Sequence, residues 1–310
     1  MNKNLARVIL ITAGFIWGFG FIANKYILDN GWNYSQLLFV RFLVASLSIF
    51  LIFHKRIRNT DKETIKAGLF LGIFLFLGYF FQTWGLAHTT ASNNALITAA
   101  YIFMMLIIIY IFDKKRVGNQ TILAGIIVML GISLISVDFK ELTIASGDFL
   151  TFIGAFFYAF HIFFLGKKAK QKDPYVLMAF QLLIFTVFAT INMIFSGGLP
   201  KNVLSSELNI KVLIAAIGIG FLGSFIGFVL QSVGQKHANE AEAAILISTE
   251  SLFGPILAIL FYNDPFNIYI LFGIIFVFLG IILSETDLGK MKSNRKNKNK
   301  NKNLELSEEK

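Results

Sequence analysis

The sequence predicts an all-α integral membrane protein with ten transmembrane helices, arranged as two inverted repeats of five helices each. The 310 residues are 56% hydrophobic and 15% charged, which is too apolar for a soluble domain. Ten apolar stretches are each close to the roughly 20 residues that a helix needs to cross a bilayer. The second half of the chain also repeats residues of the first half in the same order. Together these observations exclude a soluble protein and favour a membrane protein built from two related halves.

The predicted spans are joined mostly by short connections, which favour neighbouring antiparallel helices. The first span lacks a small-residue cleavage site, so we interpret it as a membrane helix and not as a secretory signal. Cysteine is absent, which excludes disulfides and thiol chemistry. The spans run over residues 6–28, 34–53, 65–86, 91–112, 121–137, 148–166, 175–195, 212–235, 241–262 and 268–284.

The positive charges predict the orientation of the chain. Of the 28 Lys and Arg residues, 23 lie at the N-terminus, around every second connection and in the C-terminal tail. Four lie towards the opposite side, namely Lys25, Lys140, Lys201 and Lys211, and Arg41 lies deep inside a span. The positive-inside rule therefore places both termini in the cytoplasm, in agreement with an even number of spans.

Because these charges cluster between apolar runs, the net charge of +10 is typical of membrane orientation and not of nucleic-acid binding. We expect a multi-pass protein of the plasma (inner) membrane of a bacterium. Its expected partners are the lipid bilayer and a small-molecule substrate, with no nucleic acid. The oligomeric state is left open.

Internal similarity relates the two halves. Residues 91–109 match residues 241–259 at a spacing of 150, and other matching positions keep the same order. Each half holds five spans, an odd number, so the second copy must enter the membrane from the opposite side. Secondary transporters use such inverted repeats, with the binding site near the midplane between them. The matching pairs include Gln82 with Gln231, Gly85 with Gly234, Trp17 with Tyr158, and Arg41 with Gln181.

Three regions follow from the repeat. Residues 1–140 form the predicted first five-helix repeat, and residues 141–286 form the second. Residues 287–310 are rich in Lys and Asn and are predicted to be a disordered basic tail on the cytoplasmic side.

Two ionisable side chains inside the spans are the strongest candidates for a functional site. Glu250 follows Ala241 by nine residues, so it lies about 13 Å into its helix, near the midplane. We interpret it as a partner for a substrate ammonium group or as a proton carrier, with a structural hydrogen bond as the alternative. Arg41 lies about 10 Å deep. It could hold a substrate carboxylate, reach the headgroups, or tie its helix to a helix end.

Other side chains fall at comparable depths. Trp17 and Tyr158 could pack against a substrate, or could be ordinary packing in a chain with 35 Phe. Gln82 and Gln231 could bond a substrate or a neighbouring helix. A lone histidine such as His161 is more typical of an interhelical hydrogen bond than of a proton relay. The predicted substrate-binding set is Trp17, Arg41, Gln82, Tyr101, Tyr158, Gln231 and Glu250, with Glu250 and His161 as candidates for proton coupling.

One apparent motif has a simpler interpretation. Gly218, Gly220 and Gly223 match the spacing of a dinucleotide-binding fingerprint, but they follow no strand and lie within an apolar span. Close helix packing explains them better. The sequence contains no recognisable metal cluster, nucleophile motif or nucleotide-binding loop, so we expect no metal, no cofactor and no enzymatic activity.

Four short features resemble a known family. They are Trp17-Gly18 in span one, residues 39–45 (FVRFLVA) in span two, residues 91–95 (ASNNA) at the start of span four, and Glu250 in span nine. In these features, and over residues 6–285, the chain resembles the EamA-type permeases of the drug/metabolite transporter superfamily. It departs from the family pattern at Ser251, where the family often has proline.

The resemblance implies a secondary transporter that works by alternating access, without ATP, on small polar metabolites. Amino acids or related compounds are the expected substrates, and export is the expected direction. Transport of nucleotide sugars or other anionic metabolites is the alternative within this class. A non-transporting membrane scaffold or sensor is the alternative from a different class.

Overall fold

The computed structural model describes residues 1–114, 118–138, 143–199, 207–238 and 240–285, and these residues are almost entirely helical. Eight segments are long and apolar enough to cross a membrane, and two shorter apolar helices, Ile122–Gly131 and Ile268–Gly280, complete the ten predicted crossings. The predicted boundary between residues 140 and 141 and the predicted tail lie outside the described residues.

The elements follow the predicted spans closely. In chain order they are α1 (Lys3–Asp29), α2 (Tyr34–Arg58), α3 (Lys62–Leu86), α4 (Ala91–Thr98), α5 (Ala100–Asp113), α6 (Asn119–Ser136), β1 (Val137–Asp138), β2 (Thr143–Ile144), α7 (Ser146–Ala169), α8 (Pro174–Phe195), α9 (Glu207–Ile219), a π-helix (Gly220–Ile226), α10 (Gly227–Gln235), α11 (Glu240–Ile247), α12 (Glu250–Tyr262) and α13 (Ile268–Glu285). The strands β1 and β2 pair antiparallel between the two halves of the chain.

Polar residues fix where several helices begin. The Asn33 side chain accepts a hydrogen bond from the Gln36 backbone N–H, and the Gln36 side chain accepts one from the Asn33 backbone N–H, which makes a capping box for α2. Asp61 and Thr90 cap α3 and α4 with their side-chain oxygens. These caps satisfy backbone groups at the ends of the spans, where the short predicted connections turn the chain.

The helix ends meet at two faces of the bundle, and different contacts join the two halves at each. At the face that contains the N-terminus, called here the N-terminal face, the contacts are ion pairs: Arg7 with Glu242 at 2.6 Å, Arg56 with Asp173 at 3.1 Å, Lys172 with Asp61 at 3.0 Å, and Lys167 with Asp113. At the opposite face, hydroxyl groups donate to carboxylates: Thr89 to Asp148 at 2.5 Å, Ser92 to Asp264 at 2.8 Å, and Tyr262 to Asp29 at 2.5 Å.

Spans four and nine are each broken near their middle. α4 and α5 are separated at Ala99, and α11 and α12 are separated at Ser248 and Thr249. α5 and α12 both end on a residue in the left-handed conformation, Lys114 with φ 52° and Asn263 with φ 55°. Ala99 and Thr249 are 150 residues apart, which is the spacing of the repeat, so the broken helix is a feature of both halves.

The sequence predicted both spans as continuous, and a proline within a span, here Pro255, is the usual place for a kink or a freed carbonyl. In the structure Pro255 lies inside α12, and the break lies before Glu250. The first residue of a half-helix is therefore the midplane carboxylate, which is favourable because the N-terminal end of a helix carries partial positive charge.

Close packing of α3 on α7 brings one helix from each half together. A Cβ atom added at Gly85 would lie 2.5 Å from the Gly147 carbonyl oxygen, and one added at Gly154 would lie 2.8 Å from the Gly78 carbonyl oxygen. Only glycine at these positions allows the two backbones to approach so closely. This contact forms one wall of the site described below.

Span eight changes its winding in the middle, where the π-helix separates α9 from α10. The predicted close packing of its glycines is confirmed at Gly220, where an added Cβ would lie 2.7 Å from the Arg41 carbonyl oxygen. It does not hold at Gly218, whose Cβ position faces open space. The glycines therefore differ in role, although the sequence motif treats them alike.

Candidate functional site

One cavity between the two halves is lined by all eight side chains that the sequence singled out. It encloses about 480 Å³ of space not filled by atoms, its opening included. The predicted residues around it are Trp17, Arg41, Gln82, Tyr101, Tyr158, His161, Gln231 and Glu250. The structure adds Gly20, Phe21, Asn24, Leu75, Tyr79, Ile162, Phe228 and Ile247 to the lining. The shared depth that was read from the spans thus corresponds to a shared space.

Arg41 reaches the cavity from α2 and does not snorkel to the headgroups, since it is only 2% exposed. Its Nε donates to the Ser224 hydroxyl at 2.6 Å, and its two terminal nitrogens donate to Asn24 and to the Tyr79 hydroxyl, both at 3.3 Å. The guanidinium also lies 4.8 Å from the Tyr79 ring centroid. All of these partners are neutral, so the described residues hold the guanidinium in place without an ion pair.

Glu250 faces the same cavity from the start of α12 and is 7% exposed. The Tyr101 hydroxyl lies beside it and donates to the Ala244 carbonyl at 3.3 Å. Glu250 interacts electrostatically with Arg41, yet the two side chains form no ion pair within the part of the chain that the structure describes. A buried cation and a buried carboxyl group therefore line one cavity without neutralising each other directly.

Gln82 is fully engaged by its neighbours on the wall formed by α3, α4 and α7. Its Nε2 donates to the Thr98 hydroxyl at 2.9 Å, and its Oε1 accepts from the Tyr158 hydroxyl at 2.8 Å. Asn94 extends this network by donating to the Gln82 carbonyl at 3.0 Å and to the Thr151 hydroxyl at 2.6 Å. Tyr158 and Gln82 thus contribute to a rigid wall that joins the two halves.

Gln231 lies in α10 and is 2% exposed. Its Oε1 is buried and has no hydrogen-bond partner among the described residues. Gln231 nonetheless lines the cavity, so this oxygen is a candidate acceptor for an occupant. This is the opposite of the state of its repeat counterpart, Gln82.

Trp17 and His161 each bond to a neighbouring helix. The Trp17 indole N–H donates to the Gly223 carbonyl in the π-helix at 2.7 Å. His161 Nε2 lies 2.6 Å from Gln181 Oε1, which is the interhelical bond that the sequence favoured over a proton relay. Both side chains keep a surface on the cavity while their polar atoms are held by the protein.

Aromatic rings form much of the remaining wall. Tyr79 lies at the centre, with ring centroids 5.2 Å from Tyr158 and 5.7 Å from Phe228 in edge-to-face geometry. Trp17 packs 5.1 Å from Phe228. These rings offer apolar and cation–π surface to an occupant, and edge-to-face contact fixes them against one another.

Sequence reasoning missed three residues that shape the site. Asn24 is a polar residue inside span one and could have been identified by the same reasoning that identified Arg41. The sequence pattern did not distinguish Tyr79 or Ser224 from their neighbours. Tyr79 is an aromatic residue in an aromatic-rich chain, and Ser224 is a small residue within a helix. Their role follows from the position of the guanidinium, which depends on helix packing. The described ranges contain no group of three or more His, Asp or Glu residues that could hold a metal ion.

Comparisons with known proteins agree with this architecture. The EamA-like transporter family matches the chain twice, over residues 4–137 and 145–286. An uncharacterized transporter of Archaeoglobus fulgidus is 26% identical over 285 residues, which cover 91% of this chain and 86% of the relative. The uncharacterized transporter YyaM of Bacillus subtilis is 23% identical over 262 residues, which cover 81% of this chain and 84% of the relative.

Two further similarities cover less of the chain or concern the fold alone. Purine permease 3 of Arabidopsis thaliana is 24% identical over 220 residues, which cover 65% of this chain and 62% of that protein. A crystal structure matches with a TM-score of 0.69 and 13% identity over 92% of this chain and 97% of the matched chain, and this similarity concerns the fold alone. Because the family match covers nearly all of both repeats, the chain belongs to the EamA-like transporter family.

Proposed function

We propose that this transporter carries small zwitterionic metabolites, amino acids or related compounds, and exports them across the bacterial inner membrane by alternating access. Both termini then lie in the cytoplasm, so the N-terminal face is the cytoplasmic face. No ATP-binding motif is present in the sequence, so a gradient or exchange supplies the energy.

One observation carries the proposal: Arg41 and Glu250 are both buried, face one cavity and do not pair with each other. A buried charge without a counter-charge is costly. A ligand that carries a carboxylate and an ammonium group would compensate both charges at once. The carboxylate would lie against Arg41, which favours planar bidentate partners, and the ammonium group would lie against Glu250.

The remaining lining agrees with a small occupant that has an apolar side. Tyr79, Tyr158 and Phe228 provide aromatic surface, and the unpartnered Gln231 oxygen provides one acceptor. A multiply charged substrate such as a nucleotide sugar fits less well. Arg41 is the one cationic side chain among the described residues of the lining.

A planar heteroaromatic base is the second candidate. The aromatic walls could stack on such a ring, and the free amide could pair with its polar edge. The similarity to a protein named Purine permease 3 also favours this class. This candidate leaves the Arg41 charge uncompensated, and for that reason we rank it below a zwitterion.

Counterflow in proteoliposomes tests the proposal. Purified protein is reconstituted with unlabelled substrate inside, and entry of the labelled compound is measured for a panel of amino acids, amines, carboxylates and nucleobases. We expect uptake of at least one amino acid to exceed that of the matching amine and the matching carboxylate. Uptake confined to nucleobases would select the second candidate.

The Glu250→Gln variant tests the assigned partner. Glutamine keeps the shape of the side chain but carries no negative charge, so counterflow of amino acids should fall about a hundredfold or more, because both the charge pair and any proton exchange are lost. Gel filtration and the melting temperature should remain those of the wild type. Counterflow at the wild-type rate would show that Glu250 is structural.

A further inference from the structure

We propose that a chain of bound water molecules runs between α7, α8 and α10 and connects the cavity with the N-terminal face. The water sites are assigned by buried polar side-chain atoms that have no protein partner. The existence of the waters does not depend on the proposed function, whereas their use in transport does.

The unpartnered atoms are concentrated in one region. Among the described residues, seven buried side-chain atoms have no hydrogen-bond partner, and four of them belong to two neighbouring helices, α8 and α10. These four are Gln181 Nε2, Gln231 Oε1, Ser232 Oγ and Gln235 Oε1. Most buried polar atoms in native proteins are satisfied by protein or by ordered water, so such a concentration indicates solvent.

The order of the polar residues along α10 gives the direction of the proposed water chain. Gln231 lines the cavity. Gln235 follows four residues later on the same face, about 6 Å nearer the N-terminal face, since a helix rises 1.5 Å per residue. α10 ends at Gln235, and the next residue, Lys236, is exposed. One helical turn therefore separates the cavity from the surface of the bundle.

The helices α7 and α8 close the other sides of this region. Gln235 donates through Nε2 to the Ile162 carbonyl of α7 at 3.1 Å, which leaves its Oε1 as an acceptor. Gln181 of α8 accepts through Oε1 from His161 Nε2 at 2.6 Å, which leaves its Nε2 as a donor. The region thus offers one amide donor, two amide acceptors and the Ser232 hydroxyl, and a buried water typically needs about three such partners.

A chain of waters differs from a route for the substrate. At the N-terminal face the halves are joined by ion pairs, including Arg7 with Glu242 at 2.6 Å. Single waters between the amide groups would keep the cavity in contact with solvent on this side while a metabolite is excluded. If the protein transports as proposed, the water chain gives protons a path to the cavity that does not require the helical bundle to open.

Cysteine chemistry tests the proposal, because the chain has no native cysteine. The Ser232→Cys variant is reacted with methyl methanethiosulfonate, and the modified fraction is followed by intact-protein mass spectrometry. A thiol ionises and reacts where water is present, whereas a thiol in dry apolar packing stays protonated. The matched control is Ala159→Cys, since Ala159 is fully buried in the hydrophobic core of α7.

We expect Ser232→Cys to react about tenfold faster than Ala159→Cys, and the addition of Gln235→Leu to remove most of that difference. Equal rates for the two cysteines would overturn the proposal. An unchanged rate after Gln235→Leu would also overturn it, because the hydration would then come from the cavity alone. Folding is checked by gel filtration, and Gln235→Cys gives the same measurement if Ser232→Cys does not fold.

The result is independent of transport, because the reaction needs no substrate. An unreactive Ser232→Cys in a protein that catalyses amino-acid counterflow would overturn the water chain and leave the proposed function intact. A reactive Ser232→Cys in a protein without counterflow of any tested solute would support the water chain and overturn the proposed function.

Discussion

Gln82 and Gln231 occupy equivalent positions in the two repeats and face the same cavity, but their amides are in opposite states. Gln82 donates to Thr98 at 2.9 Å and accepts from Tyr158 at 2.8 Å. Gln231 has a buried oxygen without a partner in the described chain. The repeat has therefore produced one glutamine that belongs to the wall and one that is free to meet a ligand.

The difference between the two amides arises from the residues around them and not from the glutamines themselves. The repeat counterparts of Tyr158 and Thr98 are Trp17 and Ser248, and both bond elsewhere. Trp17 donates to the Gly223 carbonyl at 2.7 Å, and Ser248 donates to the Ile245 carbonyl at 2.6 Å. The symmetry of a repeat thus fixes where side chains lie, whereas local backbone geometry decides which of them remain available.

Among the variants that compare paired positions of the two repeats, the largest effect is expected where the pair differs in charge. Arg41 corresponds to Gln181 in the second repeat, so Arg41→Gln places the same residue at both positions. It also removes the one cationic side chain among the described residues that line the cavity. Binding of carboxylate substrates should weaken by about tenfold to a hundredfold, measured as half-saturation in counterflow. Ser224→Ala, which removes one hydrogen bond and keeps the charge, should have a smaller effect. If the two variants behaved alike, the charge would have no role.

The paired variants Gln82→Leu and Gln231→Leu test the comparison directly. Gln82→Leu leaves the Tyr158 hydroxyl without its acceptor and should lower stability by about 1–2 kcal/mol. Gln231→Leu removes a buried oxygen that has no partner among the described residues, so the melting temperature should stay the same or rise. It should instead weaken substrate binding. A comparable loss of melting temperature in both variants would contradict the assignment of free and engaged amides.

Two glycines of span eight offer a smaller and independent test. A Cβ atom at Gly220 would lie 2.7 Å from the Arg41 carbonyl oxygen, whereas one at Gly218 would meet open space. Gly220→Ala should therefore lower stability by about 1–3 kcal/mol through overpacking, and Gly218→Ala should be neutral. Thermal unfolding in detergent measures both. Equal melting temperatures would mean that α2 and span eight are less closely packed than described.

The smallest effect is expected outside the cavity, at Asp61. Its change in melting temperature is a reference for the larger changes expected in the cavity variants. Thr64 donates to Asp61 through its backbone and side chain, and Lys172 donates at 3.0 Å; these bonds hold the pKa of Asp61 below its usual range. Asp61→Asn keeps an N-cap but loses the charge, so near neutral pH the melting temperature should fall by about 1–2 °C.

This difference has a defined pH dependence. Because the pKa of Asp61 is lower in the folded state, its stabilisation is fully present above the ordinary aspartate pKa of about 4 and is lost as the pH falls further. The melting temperatures of wild type and Asp61→Asn should converge at low pH. A difference that stays constant below pH 4 would show that the hydrogen bonds, and not the charge, are responsible.

The spans and the residues around the cavity could be predicted because a bilayer restricts both. Only long apolar helices cross it, and a polar side chain at the depth of Glu250 must face protein or water. The break before Glu250, the partners of Arg41 and the π-helix could not be predicted. They depend on contacts between helices that are far apart in sequence, such as Trp17 with Gly223. Whether the lining residues bind a substrate stays a prediction.

The π-helix has a consequence for how span eight tolerates changes in length. A π-helix holds one residue more than an α-helix needs for the same turn, so it marks the place where this span has a residue in excess. Deletion of Phe221 could be absorbed as a return to α-helical winding. The segments on either side, α9 and α10, would then keep their relative orientation, but the wide turn that presents the Gly223 carbonyl to Trp17 and the Ser224 hydroxyl to Arg41 would be lost. The surplus residue therefore serves the contacts of the cavity wall and is not needed for the span to cross the membrane.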